Sequence, residues 1–128
     1  IMIIYGIGTD IVNVDRIKNS LKNKDFINRI YNKKEILKCK NINNSINCYA
    51  KRFAAKEAFS KALGTGISNG INFNEIVVLN KKSGKPYINI IGQTKKILNK
   101  KFKRGKSKIS LSLSDEKKYA VAFVTISI

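Results

Sequence analysis

The chain has no histidine and no tryptophan, a single proline, two cysteines and only eight acidic residues among 128. Without imidazole, no Ser-His-Asp or Cys-His nucleophile, no His-ligated zinc and no histidine base can operate. Any chemistry must run on carboxylates, amines, hydroxyls, backbone groups or a metal. Cys39 and Cys48 have neither a metal-hook nor a dithiol spacing, and a core of this size needs no staple. They read as reduced structural cysteines rather than a disulfide. No apolar run approaches the roughly 18 residues that cross a bilayer, so no membrane partner is expected. The sequence opens directly into a strand-like run, with no secretory leader expected. Ile1 precedes Met2, as in a trimmed or processed chain.

Basic residues are abundant. Lys plus Arg number 26 against 8 acids, a formal charge of +18. Lysine dominates over arginine, and isoleucine and asparagine are frequent, a bias typical of A/T-rich genomes. The field attracts phosphates and acidic proteins whatever its origin. The densest stretch, NKKFKRGKSK at 99–108, reads as a solvated helix end and loop in preference to a nucleic-acid patch. With 43% apolar residues the chain can fill one core, and residues 1–128 are expected to form one domain.

Residues 3–12, IIYGIGTDIV, alternate as a strand, with Tyr5, Ile7, Thr9 and Ile11 on one face and Ile4, Gly6, Gly8, Asp10 and Val12 on the other. Two glycines beside one carboxylate imply a close approach to the backbone, with a bulge or a helix contact as the plain alternative. Short helical pieces follow from Asp15 to about Asn44. The strongest helix runs from about Ile46 to Leu63, Ala-rich, free of Gly and Pro, and stopped by Gly64-Thr65-Gly66. Its apolar residues run nearly all round, so it should be a mostly buried central helix. Strands are expected at 73–79 and 86–91, a helix at 93–103, and a final hairpin of 109–114 with 119–128. Strands at both ends with helices between them indicate an α+β fold.

Two acids stand in apolar surroundings, Asp10 on the first strand and Glu57 on the long helix. A carboxylate there needs a partner. Glu57 and Lys61 could form a simple i to i+4 pair worth ~0.2–0.5 kcal/mol. Alternatively Glu57 and Asp10 hold a hard cation, with Lys61 aimed at an anion. Mg²⁺ suits the second arrangement, because it takes one or two protein carboxylates, keeps several waters and completes its shell with phosphate oxygens.

The segments GIGTDIV (6–12), RFAAKEAFSKALGTGI (52–67), GKPYI (84–88) and SLSDEKKYAVAFV (112–124) together resemble holo-acyl-carrier-protein synthase, the small type of 4′-phosphopantetheinyl transferase. The resemblance covers essentially the whole chain. It implies a small antiparallel sheet packed on the long central helix, and transfer of the phosphopantetheine arm of coenzyme A to a serine of an acidic acyl carrier protein in fatty acid synthesis. It also implies a homotrimer with active sites between subunits. By that resemblance Asp10 and Glu57 are Mg²⁺ ligands and Lys61 binds the pyrophosphate. Arg52, Lys56, Gly64 and Gly66 would lie along the nucleotide, with Lys85 and Pro86 contributed by a neighbouring subunit. Arg16 would dock the carrier protein, or is simply an exposed helix charge.

The chain departs from the family at Asp115, which stands where the family usually has histidine. Either a magnesium-bound water or the Asp115 carboxylate would take the serine proton, or Asp115 merely orders the turn. No nucleic acid partner is implied. The competing reading is a noncatalytic basic module that binds nucleic acid or an acidic protein. For location, a plastid-like organelle such as the apicoplast is the first expectation and a bacterial cytoplasm the second.

Overall fold

The computed structural model describes residues 1–64, 70–103 and 105–128. Strand β1 (Ile4–Asn13) leads into helices α1 (Val14–Ser20), α2 (Lys24–Ile30) and α3 (Lys33–Lys40), then the long α4 (Ser45–Leu63). A 3-10 turn at Phe73–Glu75 opens the hairpin of β2 (Ile76–Asn80) and β3 (Pro86–Ile90). Helix α5 (Gly92–Lys101) and the hairpin of β4 (Lys108–Asp115) and β5 (Tyr119–Ser127) complete the α+β fold. Among the described residues no helix is long and apolar enough to cross a membrane.

Asparagine starts each of the short helices. The side chains of Asn13, Asn23 and Asn32 accept from the backbone N–H groups of Arg16, Asp25 and Lys34, satisfying donors that a helix start leaves open. At α3 the cap is reciprocal, since Glu35 Oε1 accepts from Asn32 N at 2.9 Å. The 73–79 segment enters its strand later than the sequence pattern predicts. Its first residues close a 3-10 turn in which Glu75 N donates to Asn72 O, and pairing begins at Ile76.

β1, β5 and β4 form an antiparallel sheet in the order β1-β5-β4, with Asp10 opposite Ala122 and Asp115 opposite Ala120. The expected alternation on β1 holds from Ile7 onward, where Ile7, Thr9 and Ile11 are exposed and Gly8 and Val12 are buried. Ile4, expected on the inward face, is exposed, with a register shift between Ile4 and Gly6. Helix α4 lies across the inward face. A Cβ at Gly6 would stand 1.9 Å from the Ala62 carbonyl oxygen, and one at Gly8 the same 1.9 Å from that of Ala58. The close approach read from the glycines is therefore helix packing, with alanines matching glycines across the contact. Ala54, Ala58, Phe59 and Leu63 of the helix share one core with Val12, Val78, Ala122 and Val124.

The cysteines depart from expectation. Cys39, near the end of α3, and Cys48, in the first turn of α4, form a disulfide with Cα atoms 5.4 Å apart. The chain reverses through residues 41–44, so the two helix ends face each other at bonding range. Spacing along the sequence does not report that reversal.

Candidate active site

Because Gly8 admits α4 onto the strand backbone, the second half of the helix hangs over the middle of β1. Phe53, Glu57 and Lys61 fall one turn apart on a single stripe of α4, and exposure rises along it from half-buried Phe53 and Glu57 to exposed Lys61. Lys61 Nζ donates to the Thr9 carbonyl at 2.9 Å and to Asp10 Oδ1 at 3.3 Å. Its ion pair thus crosses from helix to strand.

Electrostatics ties four side chains together. Burial pushes the proton affinity of Glu57 up, the nearby Asp10 charge pushes it further, and Lys61 and Arg16 pull it back. Asp10 is likewise raised by burial, against the hydrogen bond and charge of Lys61 and the charge of Arg16. Structure therefore brings Asp10, Glu57, Lys61 and Arg16 into one neighbourhood. No group of three or more His, Cys, Asp or Glu side chains gathers among the described residues. Two hard oxygen ligands that cost each other charge fit a hydrated divalent ion with open positions, since a +2 charge would relieve the repulsion. Beside the pair opens a cavity of about 620 Å³ whose wall carries Glu57 with Phe53, Ile71 and Phe73, and Arg29 with the Asn72 and Asn74 amides.

Arg52 belongs to a second cleft. The residue is 4% exposed and its guanidinium bridges the start of α4 to the β2–β3 turn: one nitrogen donates to Cys48 O at 3.3 Å, another to Asn80 Oδ1 at 2.9 Å. Asn80 in turn donates to Gly84 O at 3.0 Å, next to Lys85 and Pro86. Lys38, Lys51, Lys81 and Lys82 surround this cleft of about 400 Å³. Asp115 lies on its rim, accepting from Asn47 Nδ2 at 2.8 Å and pairing with Lys51 Nζ at 3.5 Å. Asn47 and Glu57 are ten positions apart on one helix, roughly 15 Å along its axis. Within the chain Asp115 is therefore not assembled with the Asp10–Glu57 pair.

One expected ligand-binding residue is misplaced. Lys56 is fully buried, so it cannot lie along a nucleotide. Its ammonium donates to Glu35 Oε1 and to the Phe73 carbonyl, each at 2.8 Å, and to the Ile76 carbonyl. Glu35 Oε2 accepts from Val78 N at 3.1 Å. This clasp fastens α3, α4, the 3-10 turn and β2 to one another. Burial pushes the Lys56 ammonium below the usual amine range, and Glu35 pulls it back. Sequence reading missed Glu35; its signal was the Asn32-x-x-Glu35 capping pattern at the head of α3. Gly64 closes α4 at φ +84°, its N–H donating to Ser60 O and Lys61 O. Gly66 lies outside the described residues.

Residues 6–124 match the family model of the 4′-phosphopantetheinyl transferase superfamily. A holo-[acyl-carrier-protein] synthase of Pelagibacter ubique is 52% identical over 125 residues, covering 98% of each chain. The crystal structure of the Neisseria meningitidis holo-[acyl-carrier-protein] synthase superposes with a TM-score of 0.85 at 40% identity, covering 97% of this chain and 98% of that one. The Bacillus anthracis enzyme, solved in complex with CoA (3′,5′-ADP), superposes with a TM-score of 0.80 at 35% identity, covering 99% of this chain and 98% of its own. Family model, sequence identity and fold agree, and the chain belongs to the holo-[acyl-carrier-protein] synthases of the 4′-phosphopantetheinyl transferase superfamily.

Proposed function

We propose that the chain transfers the 4′-phosphopantetheine arm of coenzyme A to a serine hydroxyl of an acyl carrier protein of fatty acid synthesis, releasing adenosine 3′,5′-bisphosphate. The observation that carries this reading is the meeting of Asp10, Glu57 and Lys61 where β1 touches α4. In the reaction the serine oxygen bonds to the phosphorus that carries pantetheine, and its proton passes to water or to the Asp115 carboxylate brought in by a neighbouring copy. The bond from that phosphorus to the bridging oxygen of the diphosphate breaks, and the adenosine bisphosphate departs with the electron pair. Such a transfer asks the protein for positioning and charge compensation rather than covalent chemistry.

Asp10 and Glu57 would hold Mg²⁺, which when bound supplies Lewis-acid charge neutralisation at the diphosphate. Lys61 stabilises the charge that gathers on the leaving phosphate. Arg52 and the lysines around it accept the remaining phosphate of the nucleotide, and Gly64 lets the chain turn away at the helix end. Arg16 presents a cation beside the acid pair, where an acidic carrier protein would dock. Asp115 holds Lys51 at the rim of the basic cleft through their 3.5 Å pair. Unchanged single-turnover transfer by Asp115→Ala at saturating Mg²⁺ would remove Asp115 from the proton-accepting role.

The two clefts fit one active site shared between copies, in a homotrimer. Ile7 at 61% exposure, Ile11 at 64%, Tyr119 at 42% and Phe123 at 45% form an apolar outer sheet face that calls for a partner. A neighbouring copy seated there would bring its Lys85, Pro86 and Asp115 toward this chain's Asp10 and Glu57. The bacterial relatives favour a bacterial cytoplasm over the apicoplast. The test of the function is incubation of an apo carrier protein with coenzyme A, Mg²⁺ and the chain. Carrier mass should rise by one phosphopantetheine, and Glu57→Gln or EDTA should abolish the gain while the fold persists. Failure of a folded trimer to modify a competent carrier would leave the noncatalytic basic module, whose binding would fall steeply with salt and ignore Glu57.

A further inference from the structure

We infer that Lys61 is a resident cation at the acid pair: before a divalent ion binds, its ammonium occupies the place of that ion on Asp10, and its displacement by the metal releases it to the diphosphate of the substrate. The inference rests on the proposal that Asp10 and Glu57 hold the metal. A lysine whose side chain is 55% exposed would ordinarily extend into water, where its flexible stem keeps its rotamer freedom. Here it folds inward instead, bonded to the Thr9 carbonyl at 2.9 Å and to Asp10 Oδ1 at 3.3 Å. Both acceptors belong to the strand that carries the acid, and the Asp10 side chain is only 17% exposed.

A dication held by the same carboxylate would compete with that ammonium for it, and like charges at short range repel strongly in a partly dry site. Arg16 is the other cation whose charge reaches both acids, and it acts from α1 without a bond to either among the described contacts. Lys61 is therefore the group that must move. Its stem allows the move with little loss of packing, because the Lys61 side chain is already more exposed than buried. One side chain then serves two ligands in turn. The metal frees the ammonium, and the diphosphate captures it. Metal and coenzyme A should consequently bind cooperatively, and by linkage the effect is reciprocal.

Mn²⁺ binding, read from the electron paramagnetic resonance signal of the free aquo ion, separates this from a plain electrostatic role. On the assembled full chain without coenzyme A, Lys61→Met should bind Mn²⁺ about 5- to 20-fold more tightly than the unaltered protein, within the usual range of site-to-site coupling. Lys96→Met, on the exposed face of α5, makes the same charge change and should alter the affinity less than about 2-fold through screened long-range charge. Saturating coenzyme A should tighten Mn²⁺ binding in the unaltered protein, and this gain should shrink by about 5-fold or more in Lys61→Met. Mn²⁺ affinity that stays level or falls in Lys61→Met, or rises equally in Lys96→Met, overturns the inference while leaving the metal site intact. Asp10→Asn and Glu57→Gln report on that site separately. If both bind Mn²⁺ as the unaltered protein does, the metal reading itself fails. Melting curves of all variants establish that each is folded.

Discussion

The contact between β1 and α4 makes Gly8→Ala a severe substitution for so small a change. The added Cβ would stand 1.9 Å from Ala58 O and 2.8 Å from Ala62 N, and both are backbone atoms inside a helix, so neither can rotate aside. Restoring a contact of about 3.3 Å requires strand and helix to separate by roughly 1.4 Å, more than the gap at which dispersion contacts lose half their depth. That separation loosens Val12 and the buried alanines of α4 together, and it draws Asp10 away from Glu57 and Lys61. The expected loss is ~3 kcal/mol, the upper range for overpacked cores, or about 10–15 °C in melting temperature for a chain of this size. Gly64→Ala is the control. At φ +84° with nothing among the described residues within 4 Å of a Cβ, it pays only the left-handed conformation, ~1–2 kcal/mol. Urea unfolding with an unchanged m-value, together with calorimetry, measures both. A Gly8→Ala protein that melts within about 2 °C of the parent, or no lower than Gly64→Ala, would refute this account of the contact.

Lys56→Met strands the buried Glu35 carboxylate, whose side chain is 0% exposed, and should cost ~3–5 kcal/mol, the usual loss when one partner of a buried pair is removed; a urea midpoint equivalent to under about 1 kcal/mol would show that the clasp is dispensable. Reduction of the Cys39–Cys48 disulfide reopens a short loop and should lower stability by ~2.5–3 kcal/mol, read as a fall of roughly 10 °C in melting temperature with dithiothreitol; identical melting curves would mean that the bridge adds nothing. Tyr31 donates to Tyr49 O at 2.8 Å, and burial, then the Glu35 charge, pushes its hydroxyl far above the usual phenol value of 10.0. The fold therefore keeps a proton that the unfolded chain releases, so this contribution is complete below pH 10 and is lost as pH climbs above it, by up to ~1.4 kcal/mol per pH unit. Tyr31→Phe should be less stable at neutral pH and show a shallower alkaline decline in unfolding free energy; parallel declines would contradict the sign.

Local signals in this sequence are strong wherever the chemistry of an element is local. The Ala-rich run without Gly or Pro marked α4 to within a residue of its observed span, and alternation marked the terminal strands. Gly6 and Gly8 announced a close approach, although nothing along the sequence could name Ala58 and Ala62 as the neighbours. The asparagines were less transparent. Attributed to compositional bias, three of them proved to cap α1, α2 and α3, a role visible only once the helix starts are known. Long-range pairing was the least legible. Lys56 reads as one more surface cation because the carboxylate that permits its burial is 21 residues away, and the disulfide depends on a chain reversal that spacing does not encode. Asp10 and Glu57 were found because a carboxylate in apolar surroundings is costly enough to be conspicuous. The basic cleft around Arg52 was only partly found, since its lysines resemble the rest of a strongly positive surface.

The density of the segment from Arg52 to Gly64 follows from the geometry of one helix that serves three neighbours. Ala58 and Ala62, four apart, touch the glycines of β1, and any larger side chain there would push the strand away. Arg52 and Lys56, also four apart, turn toward the β2–β3 hairpin and bond to Asn80 and to the Phe73 and Ile76 carbonyls. Phe53, Glu57 and Lys61 take the remaining stripe, open to ligand and to the acid of β1. Few positions between Arg52 and Lys61 are free to vary without disturbing one of these contacts, which is why the motif is specific. Its three stripes should also fail in three ways. Ala58→Val should unfold the protein by displacing β1, Lys56→Met by stranding a charge, whereas Glu57→Gln should leave the melting temperature nearly unchanged and remove Mn²⁺ binding and transfer together. A Glu57→Gln protein that keeps transfer, or loses it only through unfolding, would break the assignment of the open stripe to chemistry.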